Sequence, residues 1–98
     1  MSEEEQEEEQ RYKVFAKIKV MPDDPETDLE KIKEELKGRV PEEFKINKIE
    51  EEPVAFGLTA VVVTVLGPDA AGGFDPVEES WKEVENVKEV SVSDIGRL

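Results

Sequence analysis

The stretch FGLTAVVVTVL, residues 56–66, is the most apolar part of a chain that is otherwise rich in charged residues. Six of its eleven residues are valine or threonine, whose branched side chains favour extended backbone. Because apolar residues occupy both faces of the stretch, we predict a strand in the middle of a sheet. Phe56 and Gly57 stand at its beginning, where a large ring followed by a glycine needs an explanation.

Outward from this strand, the apolar pattern predicts three more strands. Residues 12–21 alternate apolar side chains with lysines, as expected for a strand with one buried face. Residues 44–52 break that alternation, which indicates a bulge or a twisted edge strand. Residues 87–92 predict a short last strand, followed by the tail SDIGRL in which Ile95 can fold back onto the core.

Two helices are predicted between these strands. The first begins with Thr27 and Glu30 at the spacing of a capping box, and Gly38 is its natural C-cap. In the second, Asp75 is the cap and Pro76 occupies the first helical position. Both helices carry apolar stripes at helical spacing, namely Leu29, Ile32 and Leu36 in the first and Val77, Trp81 and Val84 in the second.

The resulting order is βαββαβ, which predicts an α+β fold of the ferredoxin-like type. In this plait, a four-stranded antiparallel sheet carries both helices on one face, with the first and third strands in the centre. The other face stays open, and we expect it to carry Phe15, Lys17 and Lys19 from the first strand.

Charge divides the chain into a tail and one domain. Residues 1–11 contain six of the 26 acidic residues and one of the 13 basic ones, so we predict a disordered acidic N-terminal tail. Residues 12–98, the predicted domain, still carry a net charge of −8. This acidity argues against direct nucleic-acid binding, which needs clustered lysine and arginine, and favours a partner with a basic surface.

Most catalytic chemistries lack the residues they need. The chain has no histidine and no cysteine, so neither a nucleophile–base pair nor a thiolate or imidazole metal site is expected. No phosphate-loop motif is present, and the acidic runs at 23–28 and 50–52 are interpreted as turn and hairpin residues. We therefore expect no enzyme, no cofactor and no metal, and the absence of a membrane-spanning stretch favours a cytoplasmic protein.

Phe56 admits three interpretations. As an RNA-stacking platform it lacks the neighbouring aromatic and basic residues, because Leu58 and Val61 stand where further rings are needed. A core residue and a ring presented to another protein both remain open, and Gly57 favours the second because it lets the backbone bend. At the C-terminus, Arg97 and Leu98 are either a frayed end or a cationic contact for a partner.

Three segments carry a resemblance to a known family: KVMP after the first strand, EEPVAFGL before the third, and the terminal Arg-Leu. In this order and spacing, from about residue 13 to the end, the chain resembles archaeal translation elongation factor 1-beta and the C-terminal exchange domain of its eukaryotic counterpart. The resemblance implies the same plait and a guanine-nucleotide exchange factor for elongation factor 1-alpha, with residues 12–98 as the exchange domain.

The resemblance also implies where the partner binds. The phenylalanine turn of the family, here Phe56 with Gly57, contacts one domain of the GTPase, and the basic C-terminus, here Arg97 with Leu98, approaches the magnesium site of another. The eukaryotic relatives have a lysine where this chain has Arg97, so the positive charge is the feature that transfers. The alternative function is a non-catalytic interaction module or small-ligand sensor built on the same plait.

Overall fold

A computed structural model describes residues 12–98, and residues 1–11, predicted to be an acidic tail, lie outside the described part. The elements follow in the order β1 (Val14–Pro22), α1 (Leu29–Arg39), β2 (Lys45–Pro53), β3 (Thr59–Gly67), α2 (Asp75–Lys82) and β4 (Val87–Arg97). A short 3-10 turn, Ala55–Gly57, connects β2 to β3. This βαββαβ order confirms the predicted ferredoxin-like plait.

The four strands form one antiparallel sheet in the order β2-β3-β1-β4. The central pair, β1 and β3, places Ile18 opposite Val63, which confirms that the most apolar strand lies inside the sheet. At the edge, β2 shifts register against β3 between Ile46 and Lys48. The bulge and the edge position predicted for β2 are therefore both confirmed.

Both helices pack on one face of this sheet, as predicted. Every second residue of the central strands is completely buried there, namely Ala16, Ile18, Val20, Val61, Val63 and Val65. The helices cover them with Ile32, Leu36, Val77 and Trp81. The two helices are also joined directly, because the indole N–H of Trp81 donates a hydrogen bond of 3.1 Å to the carbonyl of Leu36. The core is thus a single layer between helices and sheet.

The ends of α1 differ from the prediction. Its N-cap is Asp28, whose carboxylate accepts a hydrogen bond of 3.1 Å from the amide of Glu30, so the prediction of Thr27 as cap was wrong. The hydroxyl of Thr27 instead donates to Asp23 at 3.2 Å. Gly38 lies inside the helix, which ends at Arg39, because the residue before a proline is restricted to extended backbone.

In α2 the helix begins at Asp75 itself, and Phe74 takes the cap position without a side-chain hydrogen bond. Asp75 therefore stabilises the helix as a negative charge in its first turn and not as a cap. Phe74 is 4% exposed, and its ring lies 5.4 Å from that of Phe44, centroid to centroid. The residue at the cap position is therefore a core residue. Val77 and Trp81 face inward as predicted, and Val84 is buried as well but lies beyond the end of the helix at Lys82.

Two strand boundaries were predicted wrongly, and both concern the candidate site. β3 begins at Thr59, so Phe56 precedes the strand, because the backbone at Phe56 and Gly57 is left-handed. β4 continues to Arg97 where the sequence predicted an end at Val92. The additional length comes from β1, which supplies backbone partners for β4 over its whole length after a register shift between Lys17 and Ile18.

The second face of the sheet carries Phe15, Lys17 and Lys19, which alternate with the buried residues of β1 as predicted. Neither α1 nor α2 packs on this face, which we call the open face. Across the described part of the chain, no helix is long and apolar enough to cross a membrane.

Candidate functional site

The connection from β2 to β3 presents Phe56 on a tight turn. Its backbone is left-handed, with φ 60° and ψ 32°, and Gly57 follows with φ 75°. Two hydrogen bonds close the turn. The amide of Val54 donates to the carbonyl of Leu58 at 2.8 Å, and the amide of Leu58 donates to the carbonyl of Ala55 at 3.3 Å. A left-handed residue with a bulky side chain costs about 1–2 kcal/mol, so the turn is held against an intrinsic preference.

The ring of Phe56 is 94% exposed. The core interpretation is therefore wrong, since a phenylalanine gains stability only when its ring leaves water, by about 1.5–3 kcal/mol on full burial. An exposed ring on a strained backbone stabilises neither the core nor the turn. Both features are explained if the ring contacts another molecule.

A groove of about 340 Å³ lies beside this ring on the open face. It runs between the turn and the strands β1 and β4 and is lined by Lys19, Met21, Val54, Ala55, Phe56, Leu58, Glu89 and Ser91. The sequence did not predict this groove, because its two walls are 30 or more residues apart along the chain and meet only through the strand register.

The other candidate residues lie at the end of β4. Arg97 is the last residue of the strand and pairs with Val14, and the amide of Leu98 donates a hydrogen bond of 2.9 Å to the carbonyl of Lys13. The C-terminus is thus tied to the sheet, so the frayed-end interpretation is wrong. Ile95 is 59% exposed and does not return to the core as predicted.

Gly96 explains how this end of the sheet packs. A side chain at residue 96 would meet the ring of Phe15 at 2.6 Å, so the ring lies directly over the glycine backbone. Phe15 and Gly96 are opposite each other in the register of β1 and β4. The ring therefore packs against the strand segment that carries Arg97.

The guanidinium of Arg97 donates a hydrogen bond of 2.9 Å to Asp69, in the loop after β3. The two side chains are 76% and 53% exposed, and such ion pairs contribute about 0.2–1 kcal/mol. Sequence reasoning missed Asp69, which stands in the loop GPDAAGG and carries no signal of its own. The pair orients Arg97 but is too weak to keep it from a stronger anionic partner.

The structure does not bring Phe56 and Arg97 together. The turn precedes the first residue of β3, whereas Arg97 pairs with Val14, which lies opposite the last residue of β3, Gly67. The nine residues of β3 span eight rises of about 3.3 Å, so the two ends of the sheet lie about 26 Å apart along the strands. Any single partner that contacts both must span one whole side of the domain.

Within residues 12–98 no group of acidic side chains is arranged to hold a metal ion. The acidic run at 23–28 is a turn, as predicted, in which Asp24 accepts a hydrogen bond of 2.8 Å from the amide of Glu26. On the helix side, a hydrogen bond of 2.8 Å from Lys33 to Glu51 is the main cause that raises the pKa of this lysine. That pair links α1 to β2 and is a structural contact.

Comparison with known proteins places the chain in a family. Residues 15–98 match the EF-1 guanine nucleotide exchange domain. Elongation factor 1-beta of Haloarcula marismortui is 52% identical over 86 residues, which cover 88% of this chain and 98% of the relative. The proteins of the same name from Methanothermobacter thermautotrophicus and Pyrococcus abyssi are 48% and 46% identical over 85 and 88 residues, or 87% and 89% of this chain and 96% and 97% of those relatives.

These matches include the Phe56 turn, the open face and the strand that ends at Arg97. They confirm the resemblance that the segments KVMP, EEPVAFGL and Arg-Leu indicated. An exchange factor accelerates the release of a bound nucleotide from a GTPase without making or breaking a covalent bond. The chain belongs to the EF-1 guanine nucleotide exchange domain family, together with the archaeal elongation factors 1-beta, and its role is nucleotide exchange and not covalent catalysis.

Proposed function

We propose that this protein promotes the release of GDP from elongation factor 1-alpha, so that GTP takes its place during the elongation of protein synthesis. The observation that carries the proposal is the strained turn that holds the ring of Phe56 94% exposed on a member of the exchange family. We assign partner contacts to Phe56 with Gly57 at one end of the domain and to Arg97 with Leu98 at the other.

Phe56 is the anchor in this proposal. Its ring is already outside the domain, and its backbone is fixed by the two hydrogen bonds of the turn. Binding therefore loses little conformational entropy, while burial of an aromatic ring in a partner pocket is a typical source of binding energy at interfaces. Gly57 supports the turn because it accepts φ 75° without steric strain.

Arg97 acts on the nucleotide site of the GTPase. GDP is held there largely through a magnesium ion and the amides and lysine of the phosphate loop. A guanidinium is a planar fork that pairs with a carboxylate or a phosphate through two hydrogen bonds. Arg97 thereby competes for the anionic groups that hold the metal, and the metal and the diphosphate are released more easily.

The separation of about 26 Å along the strands between the two ends of the domain serves this mechanism. Anchoring at Phe56 holds one part of the GTPase, and the basic strand end then acts on another part. The factor must bind the nucleotide-free GTPase more tightly than the GDP-bound form, because only a difference in affinity shifts an equilibrium. GTP then enters because cells keep it in excess over GDP.

The test is a release assay with purified elongation factor 1-alpha from the same organism. The GTPase is loaded with a fluorescent GDP analogue and mixed rapidly with excess GTP and increasing concentrations of this protein. We expect a release rate that rises many-fold over the spontaneous rate and saturates with factor concentration. Release in EDTA gives the rate for the metal-free site as a reference. A rate that stays at the spontaneous value, with both proteins folded, contradicts the proposal.

A further inference from the structure

The charged residues of the open face are segregated along the strands. Val61, Val63 and Val65 face the helices, so Val62 and Thr64 of β3, together with their cross-strand partners, face the open side. Thr64 lies between Lys48 of β2 and Lys17 of β1, and the neighbouring row towards Arg97 contains Lys45. The half of the face nearest Arg97 thus carries three lysines.

The half nearest the Phe56 turn carries three glutamates. Glu50 lies opposite Val62, Glu52 opposite Ala60, and Glu89 of β4 opposite Met21. Each half also contains one residue of the opposite charge. In the lysine half this is Asp94, which lies opposite Lys17, and in the glutamate half it is Lys19, which lies in the same row as Glu50.

The two halves therefore have net charges of opposite sign, and the open face as a whole is neutral. The described residues carry a net charge of −8 in total, so this excess of negative charge lies elsewhere on their surface. An acidic protein that keeps one face neutral and polarised presents a surface distinct from its remaining sides.

Both ends of the domain border this face, although Arg97 pairs with Val14 and its side chain therefore leaves the end of β4 on the helix side. The groove beside Phe56 is lined by Lys19, Met21, Glu89 and Ser91, which are open-face residues. At the other end the ring of Phe15 lies on the open face against Gly96, next to Arg97. The open face is thus the continuous surface between the two ends, whereas the helices occupy the opposite side.

We infer that the open face is the docking surface for the GTPase and that its charge polarity sets the orientation in which the GTPase binds. The inference rests on the proposed function. The occupant it fits is a protein with an acidic surface towards the lysine half and a basic surface towards the glutamate half. A nucleotide site with its phosphates and metal-binding carboxylates supplies the acidic part. In this orientation the end of β4, from which the exposed side chain of Arg97 extends, meets the nucleotide site, and Phe56 meets the basic region.

The size of the face agrees with transient docking. Four rows at about 7 Å along the strands and four strands at about 4.8 Å give a face of roughly 20 by 14 Å. This is about 280 Å², well below the roughly 800 Å² per partner of a standard interface, so the Phe56 turn and the strand end must supply much of the contact, as in a small and short-lived complex. A factor that must leave its partner after each exchange needs such a contact.

The experiment inverts the polarity without changing the net charge. The quadruple variant Lys17→Glu, Lys48→Glu, Glu50→Lys and Glu52→Lys keeps the total charge. It also keeps a pair of opposite charges at positions 48 and 50, where Nζ of Lys48 lies 3.6 Å from a carboxylate oxygen of Glu50 in this protein. In the release assay we expect the second-order rate constant at low ionic strength to fall about tenfold or more, because exposed charges act mainly on association. High salt removes most of the difference.

The matched control is Lys31→Glu with Lys37→Glu, two exposed lysines of α1 on the helix side. It changes the net charge by four units, more than the inversion does, and we expect less than about a twofold effect. If the inverted variant fails to fold, as judged by thermal melting, Lys17→Gln with Lys48→Gln replaces it, with an expected loss of about threefold.

The outcomes separate the two proposals. An active wild-type protein together with an equally active, folded inverted variant overturns the docking surface and leaves the exchange function standing. A larger loss in the helix-side control than in the inverted variant overturns it as well. An inactive wild-type protein removes the exchange function and with it the inference. A loss confined to the open-face variants, and reduced by salt, supports the docking surface.

Discussion

The Phe56 turn and the Arg97 strand end are both exposed, but they are built by opposite means. At Phe56 the backbone is irregular and strained, and the side chain has no partner within the described domain that buries it. At Arg97 the backbone is a regular strand, and the side chain is held by an ion pair with Asp69. One end fixes its main chain and the other orients its side chain.

This difference follows from what each group has to contact. An aromatic ring binds through shape and burial, so its position must be set before the partner arrives. A guanidinium binds through charge and hydrogen bonds, which act over a longer range and tolerate a movable side chain. We therefore expect the two ends to fail differently when mutated: the Arg97 end in the rate of release, and the Phe56 end in affinity.

The largest effect is expected for Arg97→Ala. Loss of a charged hydrogen-bonding group that acts at the nucleotide site reduces the maximal release rate about 100-fold, equivalent to about 2.7 kcal/mol. Because Arg97 is 76% exposed, the free energy of unfolding changes by less than about 1 kcal/mol. Arg97→Lys is the control and should keep most of the rate, since it keeps the charge. Equal losses in both variants would show that charge is not the active feature.

Phe56→Ala should act on binding. We expect the factor concentration for half-maximal release to rise about 30-fold, as for an aromatic anchor worth about 2 kcal/mol, with a nearly unchanged maximal rate. The melting temperature should stay the same or rise slightly, since the ring is exposed. Phe74→Ala is the matched control because its ring is 4% exposed, and it should lower stability by about 3–5 kcal/mol. A comparable loss of stability in Phe56→Ala contradicts the anchor.

The smallest effect is expected for Asp69→Asn. This change weakens the 2.9 Å contact with Arg97 and removes a competitor for the guanidinium, so release at low factor concentration should become about twofold faster. The effect must disappear when Arg97→Ala is present, which a double-mutant cycle measures. A slower release in the single variant would mean that Asp69 holds Arg97 in its productive orientation.

The core of the fold was predictable because it depends on local pattern. The valine-rich run at 59–67 could only be a buried strand, and the stripe that contains Leu36 could only face a sheet. The fold class follows from the order of these elements. The same local reasoning predicted the bulge in β2, where the alternation of apolar residues visibly breaks near Ile46.

The candidate site was less predictable because its geometry depends on tertiary contacts. Phe56 was assigned to β3 because an apolar residue next to a strand has the same pattern inside or outside it, and only the left-handed backbone separates the two cases. β4 was predicted too short because SDIGR has weak strand propensity, yet pairing with β1 extends it to Arg97. The contact with Asp69 joins residues 28 positions apart and leaves no trace in either segment.

The position of Trp81 gives the molecule a built-in optical probe. It is the only tryptophan of the sequence, it is completely buried, and it lies between the helices, on the side of the sheet away from the proposed docking surface. Its emission will therefore report melting of the hydrophobic interior by a shift to longer wavelength, while remaining almost silent when a partner covers the far side. Folding and complex formation can thus be followed as separate signals in one sample, provided that the GTPase is observed through a dye of another colour.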